Sequence, residues 1–338
     1  MYEQMSLDIG QTDFDNALDR QTDRQTAQTL DEKIEQSKRA LILAADMSKT
    51  YYNAPLILTY SGGKDSDVML HLAENCLRPD DFEVLNSHTS VDAPETVYHI
   101  REVFKRLNAK GIKTTINYPK DKNGNHETMW TLIPKKKMPP TRMLRYCCST
   151  LKETSTPNRL AALGVRASES NKRQGRDIFG IRGGTYKQAM FFSLDHTEEV
   201  HQEAMELQDP VWDCTLIKTM RDHGSCIVNP IYEWLDRDIW DYIKRENIKT
   251  NPLYERGYTR VGCIGCPMAG YQQVKKEFTD YPTYKQAYIK AFDNMMKRYG
   301  TSNATRWQNG EDVFNWWTEE YQHNVKGQLS LFDDEPQA

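Results

Sequence analysis

Leu56-Ile57-Leu58-Thr59-Tyr60 runs directly into Ser61-Gly62-Gly63-Lys64-Asp65-Ser66, and apolar residues resume at Val68, Met69, Leu72 and Ala73. The first five residues are a short apolar run set off by Asn53-Ala54-Pro55 and predict a buried strand. The three-to-four spacing of the last group predicts a helix, so the hexapeptide sits on a strand-to-helix turn. Gly62 and Gly63 let the backbone approach a phosphate closely, and the helix N-terminus beyond them offers unpaired N–H groups and a positive dipole end. Ser61 and Ser66 add hydroxyl donors, and Lys64 adds a point charge. The spacing is not that of a Walker A loop, which would need glycine where Leu58 stands.

Outward from this loop, further strands are expected at Glu83–Asn86, Lys113–Asn117, Leu163–Arg166 and Ile227–Ile231. Helical stretches such as Glu95–Ala109 and Asp236–Glu246 separate them. Ahead of the loop, Thr29 and Glu32 have capping-box spacing before the apolar periodicity of Ile34, Leu41, Ala44 and Ala45. Strands alternating with helices predict an α/β fold, a parallel sheet with helices on both faces. The aromatic-rich stretch 268–326, with Tyr281, Tyr288, Phe292, Trp307, Trp316 and Trp317, predicts a packed helical subdomain. Four regions result: a polar arm over 1–28, the phosphate-loop α/β domain over 29–262, a CxxC-containing helical subdomain over 263–326, and an acidic tail over 327–338. The arm is expected to be flexible, because it has few apolar groups to offset the entropy of ordering.

At 38% apolar and 10% aromatic, the 338 residues can bury a sizeable core. No apolar run reaches the length of a membrane span and no basic-then-apolar leader opens the chain, so a soluble cytoplasmic protein with no membrane partner is expected. A net charge of −4 argues against wholesale coating of nucleic acid, but it hides a local asymmetry. Pro134 to Arg176 holds 11 Lys and Arg against Glu153 and Glu169, a local net of +9, and suits the phosphates of a nucleotide or of a nucleic acid.

Seven cysteines, an odd number in a long chain, argue against a disulfide framework. Cys147-Cys148 and Cys263-Ile264-Gly265-Cys266 form a CC…CxxC set. Neighbouring cysteines bridge each other poorly but can ligate different corners of a cubane, and four thiolates followed by Pro267 suit a [4Fe–4S] cluster. A structural Zn²⁺ held by the same four thiolates is the alternative. Cys76 is expected to pack in the core; Cys214 and Cys226 are undecided.

Taken together, these residues resemble the phosphoadenosine phosphosulfate (PAPS) reductase family, in the PP-loop superfamily, across roughly Lys33 to Tyr299. Besides the hexapeptide, the resemblance is carried by Pro139-Pro140-Thr141-Arg142, Arg145-Tyr146-Cys147-Cys148 with Lys152, and Gly164-Val165-Arg166-Ala167-Ser168-Glu169-Ser170 with Lys172 and Arg173. It continues in Asn229-Pro230-Ile231-Tyr232-Glu233-Trp234 and in Asn251-Pro252-Leu253-Tyr254 leading to Gly262-Cys263. It implies an adenine-nucleotide α-hydrolase-like fold, with Ser61, Gly62, Gly63, Lys64, Asp65, Ser66, Asp92, Glu95, Arg145, Lys152 and Arg173 at an adenine nucleotide, ATP or PAPS. Lys64, Asp65 and Arg166 become the catalytic candidates, Cys147, Cys148, Cys263 and Cys266 the cluster ligands, and Mg²⁺ an expected companion of the phosphates.

Sulfonucleotide reductases attack sulfur with a cysteine in an ECGLH-like motif near the C-terminus, and no such motif follows Cys266 here. The resemblance therefore points to the branch that adenylates an acceptor, releases pyrophosphate and lets sulfur displace AMP, as implied for the C component of the Dnd DNA-phosphorothioation system. A cysteine desulfurase would be its sulfur donor. A thiol-dependent PAPS or adenylylsulfate reductase, and a nucleotide-sensing regulatory protein, are the alternatives. In the tail, Gln328-Leu329-Ser330-Leu331-Phe332 resembles the bacterial sliding-clamp-binding pentapeptide, which would place the protein at DNA; docking of the tail on its own domain is the competing reading.

Overall fold

The computed structural model describes residues 28–182, 190–207, 214–299 and 307–326. The expected arm, apart from Gln28, and the Gln328–Phe332 pentapeptide lie outside the described residues.

Helix α1 (Leu30–Tyr52) starts at the anticipated capping box: Thr29 N–H donates to Glu32 Oε2 at 2.8 Å and Glu32 N–H to Thr29 Oγ1 at 3.3 Å. It ends on Asn53, left-handed at φ 49°. Strand β1 (Leu56–Thr59), the phosphate loop and helix α2 (Lys64–Cys76) follow as predicted. Next come β2 (Phe82–Ser87), α3 (Pro94–Ala109), β3 (Thr114–Asn117), α4 (Met129–Lys136) and α5 (Tyr146–Leu151). Then β4 (Leu160–Ala162), α6 (Asn171–Gln174), β5 (Phe179–Ile181), β6 (Met190–Phe192), α7 (Leu194–Leu207), α8 (Thr215–Arg221) and β7 (Cys226–Val228) complete the sheet. Helices α9 (Asp236–Arg245), α10 (Tyr271–Asp280), α11 (Pro282–Tyr299) and α12 (Gly310–Lys326) close the described chain.

The seven strands lie in the order β3-β2-β1-β4-β7-β5-β6. The five from β3 to β7 are parallel, as predicted. Every residue of β4 and β7 is buried, and successive side chains point to opposite faces, so both faces of the sheet centre are covered. Two features differ from expectation. β5 and β6 add an antiparallel edge, making the sheet mixed; these three-residue strands are too short to show a period. The strand expected at Leu163–Arg166 lies earlier, at Leu160–Ala162, because the residues after it leave the sheet to pack on the phosphate loop.

The sheet and α1, α2 and α9 enclose one apolar core, in which Leu41, Met47, Leu56, Val68, Phe179 and Trp234 are almost fully buried. A second core gathers α4, α10, α11 and α12 around Tyr288, Phe292 and Trp317 and reaches Cys147 and Leu151. Trp317 Nε1 donates to Pro140 O at 2.7 Å, joining α12 to the stretch that leads to the cysteine pair. Among the described residues no helix is long and apolar enough to cross a membrane.

Candidate functional site

Gly62 is left-handed at φ +73°, and a Cβ there would stand 3.0 Å from Ile100 Cγ1, so glycine is required on both counts. Ser66, one turn into α2, ties the loop together. Its hydroxyl donates to Gly63 O at 2.7 Å and receives the N–H groups of Gly63 and Ser61 at 3.2 and 3.3 Å. From outside, Asn251 Nδ2 donates to Gly62 O at 3.0 Å and to Thr96 Oγ1 at 3.1 Å, and the Lys64 N–H donates to Tyr254 Oη at 2.9 Å. These contacts explain why Asn251-Pro252-Leu253-Tyr254 accompanies the loop.

Lys64 and Arg166 come together over the start of α2 although 102 positions separate them in the sequence. Both reach the same oxygen of Asp236, Lys64 Nζ at 2.8 Å and Arg166 Nη2 at 3.0 Å. Arg166 Nε also donates to Asp65 Oδ1 at 2.6 Å. Gly164 makes this convergence possible: a Cβ there would lie 3.3 Å from the Asp65 carbonyl carbon and 3.4 Å from Ser66 N. Both basic side chains are nearly buried, at 8% and 5% exposure, whereas Asp236 is 61% exposed. Burial opposes ionisation of Asp236, but Lys64 and then Arg166 hold its carboxyl below the usual carboxylate range.

A buried network backs the loop. Tyr60 Oη donates to Asp67 Oδ1 at 2.5 Å, and His99 Nε2 lies 3.0 Å from Tyr60 Oη and 3.2 Å from Asp67 Oδ1. Burial pushes the Asp67 carboxyl up, against the hydrogen bonds of His99 and Tyr60. Burial, then the charge of Asp67, raises the Tyr60 phenol well above its ordinary value.

The four paired cysteines share the second core. Cys263 forms a bridge with Asp92, and Ile264 N–H donates to Val91 O at 2.8 Å, so the CxxC segment runs along the residues that precede α3. Its turn contains Gly265 at φ +69°, where a Cβ would clash with Phe278 and Trp317 at 2.8 and 2.9 Å. Gly265 N–H donates to the buried Glu277 at 2.7 Å, and Arg142 Nε donates to Pro267 O at 3.1 Å, linking the two cysteine segments. The hydrogen bond between the adjacent thiols, followed by burial, raises Cys147, with Cys148, Cys263 and Cys266 adding to it. The same bond lowers Cys148, helped by Arg145 and Lys152. Lys152 is raised by the cysteines, Cys263 first, and by Asp92, against burial. Among the described residues no group of three or more His, Cys, Asp and Glu side chains is arranged to hold a single metal ion. Four thiols from two segments match in number the donor set of a [4Fe–4S] cubane and equally that of a tetrahedral Zn²⁺ site.

The two halves adjoin. A methyl added at Gly63 would meet Val261 Cβ at 3.9 Å, and Cys263 follows two residues on. Of the expected site residues, the loop with Lys64 and Asp65 comes together with the catalytic candidate Arg166. Arg173 stands nearby, paired with Glu169. Asp92, Arg145 and Lys152 gather at the cysteines. Glu95 is engaged elsewhere, ion-paired to Arg256 and accepting from Tyr281 Oη at 2.8 Å. Asn251 and Tyr254, quoted in the resemblance but given no role, complete the loop with Asp236 and Thr96, which were not singled out; Asp236 lies at a helix start that the periodicity marked, and its partners were not legible.

The remaining cysteines lie apart, against the sheet core. Cys226 is buried in β7, where burial lifts its thiol to about 11, and Cys76 and Cys214 pack on the same core.

Residues 55–269 match the phosphoadenosine phosphosulfate reductase domain. The chain is 26% identical over 227 residues to an uncharacterized protein of Methanocaldococcus jannaschii, covering 66% of this chain and 39% of that protein. A second uncharacterized protein of that organism is 23% identical over 275 residues, 80% of this chain and 54% of the relative, so the chain spans about half or less of these two. It is 21% identical over 243 residues to the adenosine 5′-phosphosulfate reductase of Anoxybacillus flavithermus, covering 71% of this chain and 84% of that enzyme. Among solved structures, the PAPS reductase of Candida auris in its phosphate complex aligns at TM-score 0.40 and 15% identity, over 77% of this chain and 98% of that one. A U34-tRNA thiolase of Methanococcus maripaludis with its [4Fe-4S] cluster aligns at TM-score 0.37 and 13% identity, over 87% and 81%. With well over half of its length matched, and with the glycine loop at a strand-to-helix turn, the chain belongs to the phosphoadenosine phosphosulfate reductase domain family.

Proposed function

We propose that the protein is an ATP-dependent adenylating enzyme of the sulfurtransferase type, carrying a [4Fe–4S] cluster and acting on nucleic acid. The observation that carries the reading is the nearness of Val261, two residues before Cys263, to the backbone of Gly63, which supports a nucleotide loop working beside the cysteine pairs. In this reading the loop amides and Ser61 and Ser66 hold the triphosphate, with Mg²⁺ on its oxygens. Lys64 and Arg166 then neutralise charge as an acceptor oxygen attacks the α-phosphorus and pyrophosphate leaves. Asp65 orients Arg166 through its 2.6 Å bond. Hydrosulfide-level sulfur, released when an external thiol reduces the persulfide of a donor such as a cysteine desulfurase and is itself oxidised to a disulfide, next displaces AMP from the activated acceptor. Cys147, Cys148, Cys263 and Cys266 would hold the cluster, which supplies an iron able to bind sulfur.

Reduction of PAPS is the second reading, and it needs an accessible nucleophilic thiol outside the cluster set. Cys226 is buried with a raised thiol, and Cys76 and Cys214 pack on the sheet core, which favours adenylation. Anaerobically purified protein incubated with ATP and single-stranded DNA or RNA should release pyrophosphate in proportion to strand. Sulfite from PAPS with a thiol donor, and no strand-dependent pyrophosphate, would establish the reductase instead; tight ATP binding without turnover would mark a sensor. Iron and sulfide should each be present at about four per chain, as the cubane requires; stoichiometric zinc without sulfide would overturn the cluster. A sliding clamp fits the same reading as partner: removing residues 328–332 should abolish retention on immobilised clamp.

A further inference from the structure

Four arginines gather near the phosphate loop and the cysteine pairs. Arg145 is on the cysteine side, its Nη2 3.6 Å from Cys148 Sγ. Arg173 is on the loop side, paired with Glu169, whose carboxylate also accepts the Arg166 N–H at 3.1 Å. Arg260 immediately precedes Val261, the residue that abuts Gly63. Arg176 lies in a turn clamped by one phenol: Tyr232 Oη is 3.0, 3.0 and 2.6 Å from the carbonyl oxygens of Arg173, Gln174 and Arg176. Burial, followed by the like charges of Arg176, Arg260 and Arg145, holds the Arg173 guanidinium down to about 10, so Arg173 lies close enough to the other three to feel their charge. Among the described residues Arg145, Arg176 and Arg260 make no ion pair with a carboxylate, whereas Lys135, Arg159 and Arg166 of the same basic stretch each have one.

Four like charges with one carboxylate pair among them, Arg173 to Glu169, are stabilised when an anion arrives. Lys64, Arg166 and the loop amides already suffice for a triphosphate, so four further guanidinium groups call for additional phosphates. On the cysteine side Arg142, held to Pro267, is exposed with Met143 and Leu144, adding charge and apolar surface against which bases can lie. We propose that Arg145, Arg173, Arg176 and Arg260 bind the sugar–phosphate backbone of a single nucleic-acid strand, laying the acceptor between the phosphate loop and the cysteine pairs. The inference rests on the nucleic-acid reading above and names where that acceptor is held.

The test is fluorescence anisotropy with fluorescein-labelled 20-nucleotide single-stranded DNA and RNA of one sequence, from 50 to 200 mM salt, beside calorimetry with ATP and with PAPS. Four phosphate contacts predict a slope of log K against log salt near −3, at about −0.7 per contact. R176E/R260E should lower strand affinity at least about tenfold and flatten the slope by about 1.4, with ATP affinity within about twofold of the parent. R176K/R260K should keep the slope. Absence of strand binding in the parent, an unchanged slope in R176E/R260E, or ATP or PAPS affinity falling in step with strand affinity would each overturn the proposal; the last would give the arginines to the mononucleotide. Strand binding that responds to R176E/R260E in a protein releasing no pyrophosphate would keep the strand site and remove the adenylation reading.

Discussion

Lys64 and Arg166 share one carboxylate oxygen of Asp236, so an incoming phosphate competes with a largely exposed, low-pKa side chain for two nearly buried cations. Lys64→Met removes one charge-assisted contact of roughly 1.5–3 kcal/mol and should weaken ATP binding about ten- to a hundredfold by calorimetry, with thermal stability little changed. Gly62→Ala should act through the backbone: a left-handed residue gains a Cβ 3.0 Å from Ile100, costing about 1–3 kcal/mol in urea unfolding. Asp67 makes a pH-dependent prediction. Its carboxyl, facing Tyr60 and His99 with Asp65 nearby, has a raised folded pKa, so the folded state holds the proton more tightly than the unfolded state. Stability from this group is greatest below the unfolded value near 3.9 and declines as pH rises through the folded pKa. Asp67→Asn should remove that decline, read as a flatter dependence of the urea midpoint on pH above about 4; an unchanged dependence would show that Asp67 does not titrate in that window.

Helices α1 and α9 are joined by a buried ion pair, Lys33 Nζ to Asp238 Oδ2 at 2.5 Å, with 1% and 10% of the side chains exposed. Asp238 also accepts the Leu235 N–H at 2.8 Å, which starts the helix whose first residue is Asp236. Lys33→Met leaves the buried Asp238 carboxylate with only its longer, 3.6 Å pair to Arg237 and should cost up to about 3–5 kcal/mol, and K33M/D238N should recover much of that in the same unfolding assay. At this scale the sequence was informative wherever a local rule operated. The capping box, the strand–loop–helix turn and the helices after β2 and β7 all follow from spacing within about ten residues. The strand near position 163 was misplaced because Gly164 serves the loop rather than the sheet, and a glycine's long-range partner leaves no periodic trace. β5 and β6 escaped for want of length. The Lys64–Arg166–Asp236 meeting was half legible, since each residue lay in a marked segment but their common oxygen is purely tertiary.

The two cores differ in what holds them. The first rests on a sheet; the second is helical, aromatic, and threaded by both cysteine pairs, with Gly265 pressed against Phe278 and Trp317. Trp317→Ala should cost about 3–5 kcal/mol and, in hydrogen exchange, loosen α4 and α10 to α11 before β1 and β4; uniform loosening would mean that the two cores unfold together. Strand order carries one more consequence. From β1 the chain steps to β2 and β3 on one side, then returns to β4 and continues to β7 on the other. The reversal falls between β1 and β4, the strands whose ends deliver Lys64 and Arg166, where the connections diverge and a crevice opens of itself. The site is therefore a seam between two independently wound halves. Relatives can lengthen either outer edge without disturbing it, whereas a change in the twist between these two strands alone would pull its cations apart.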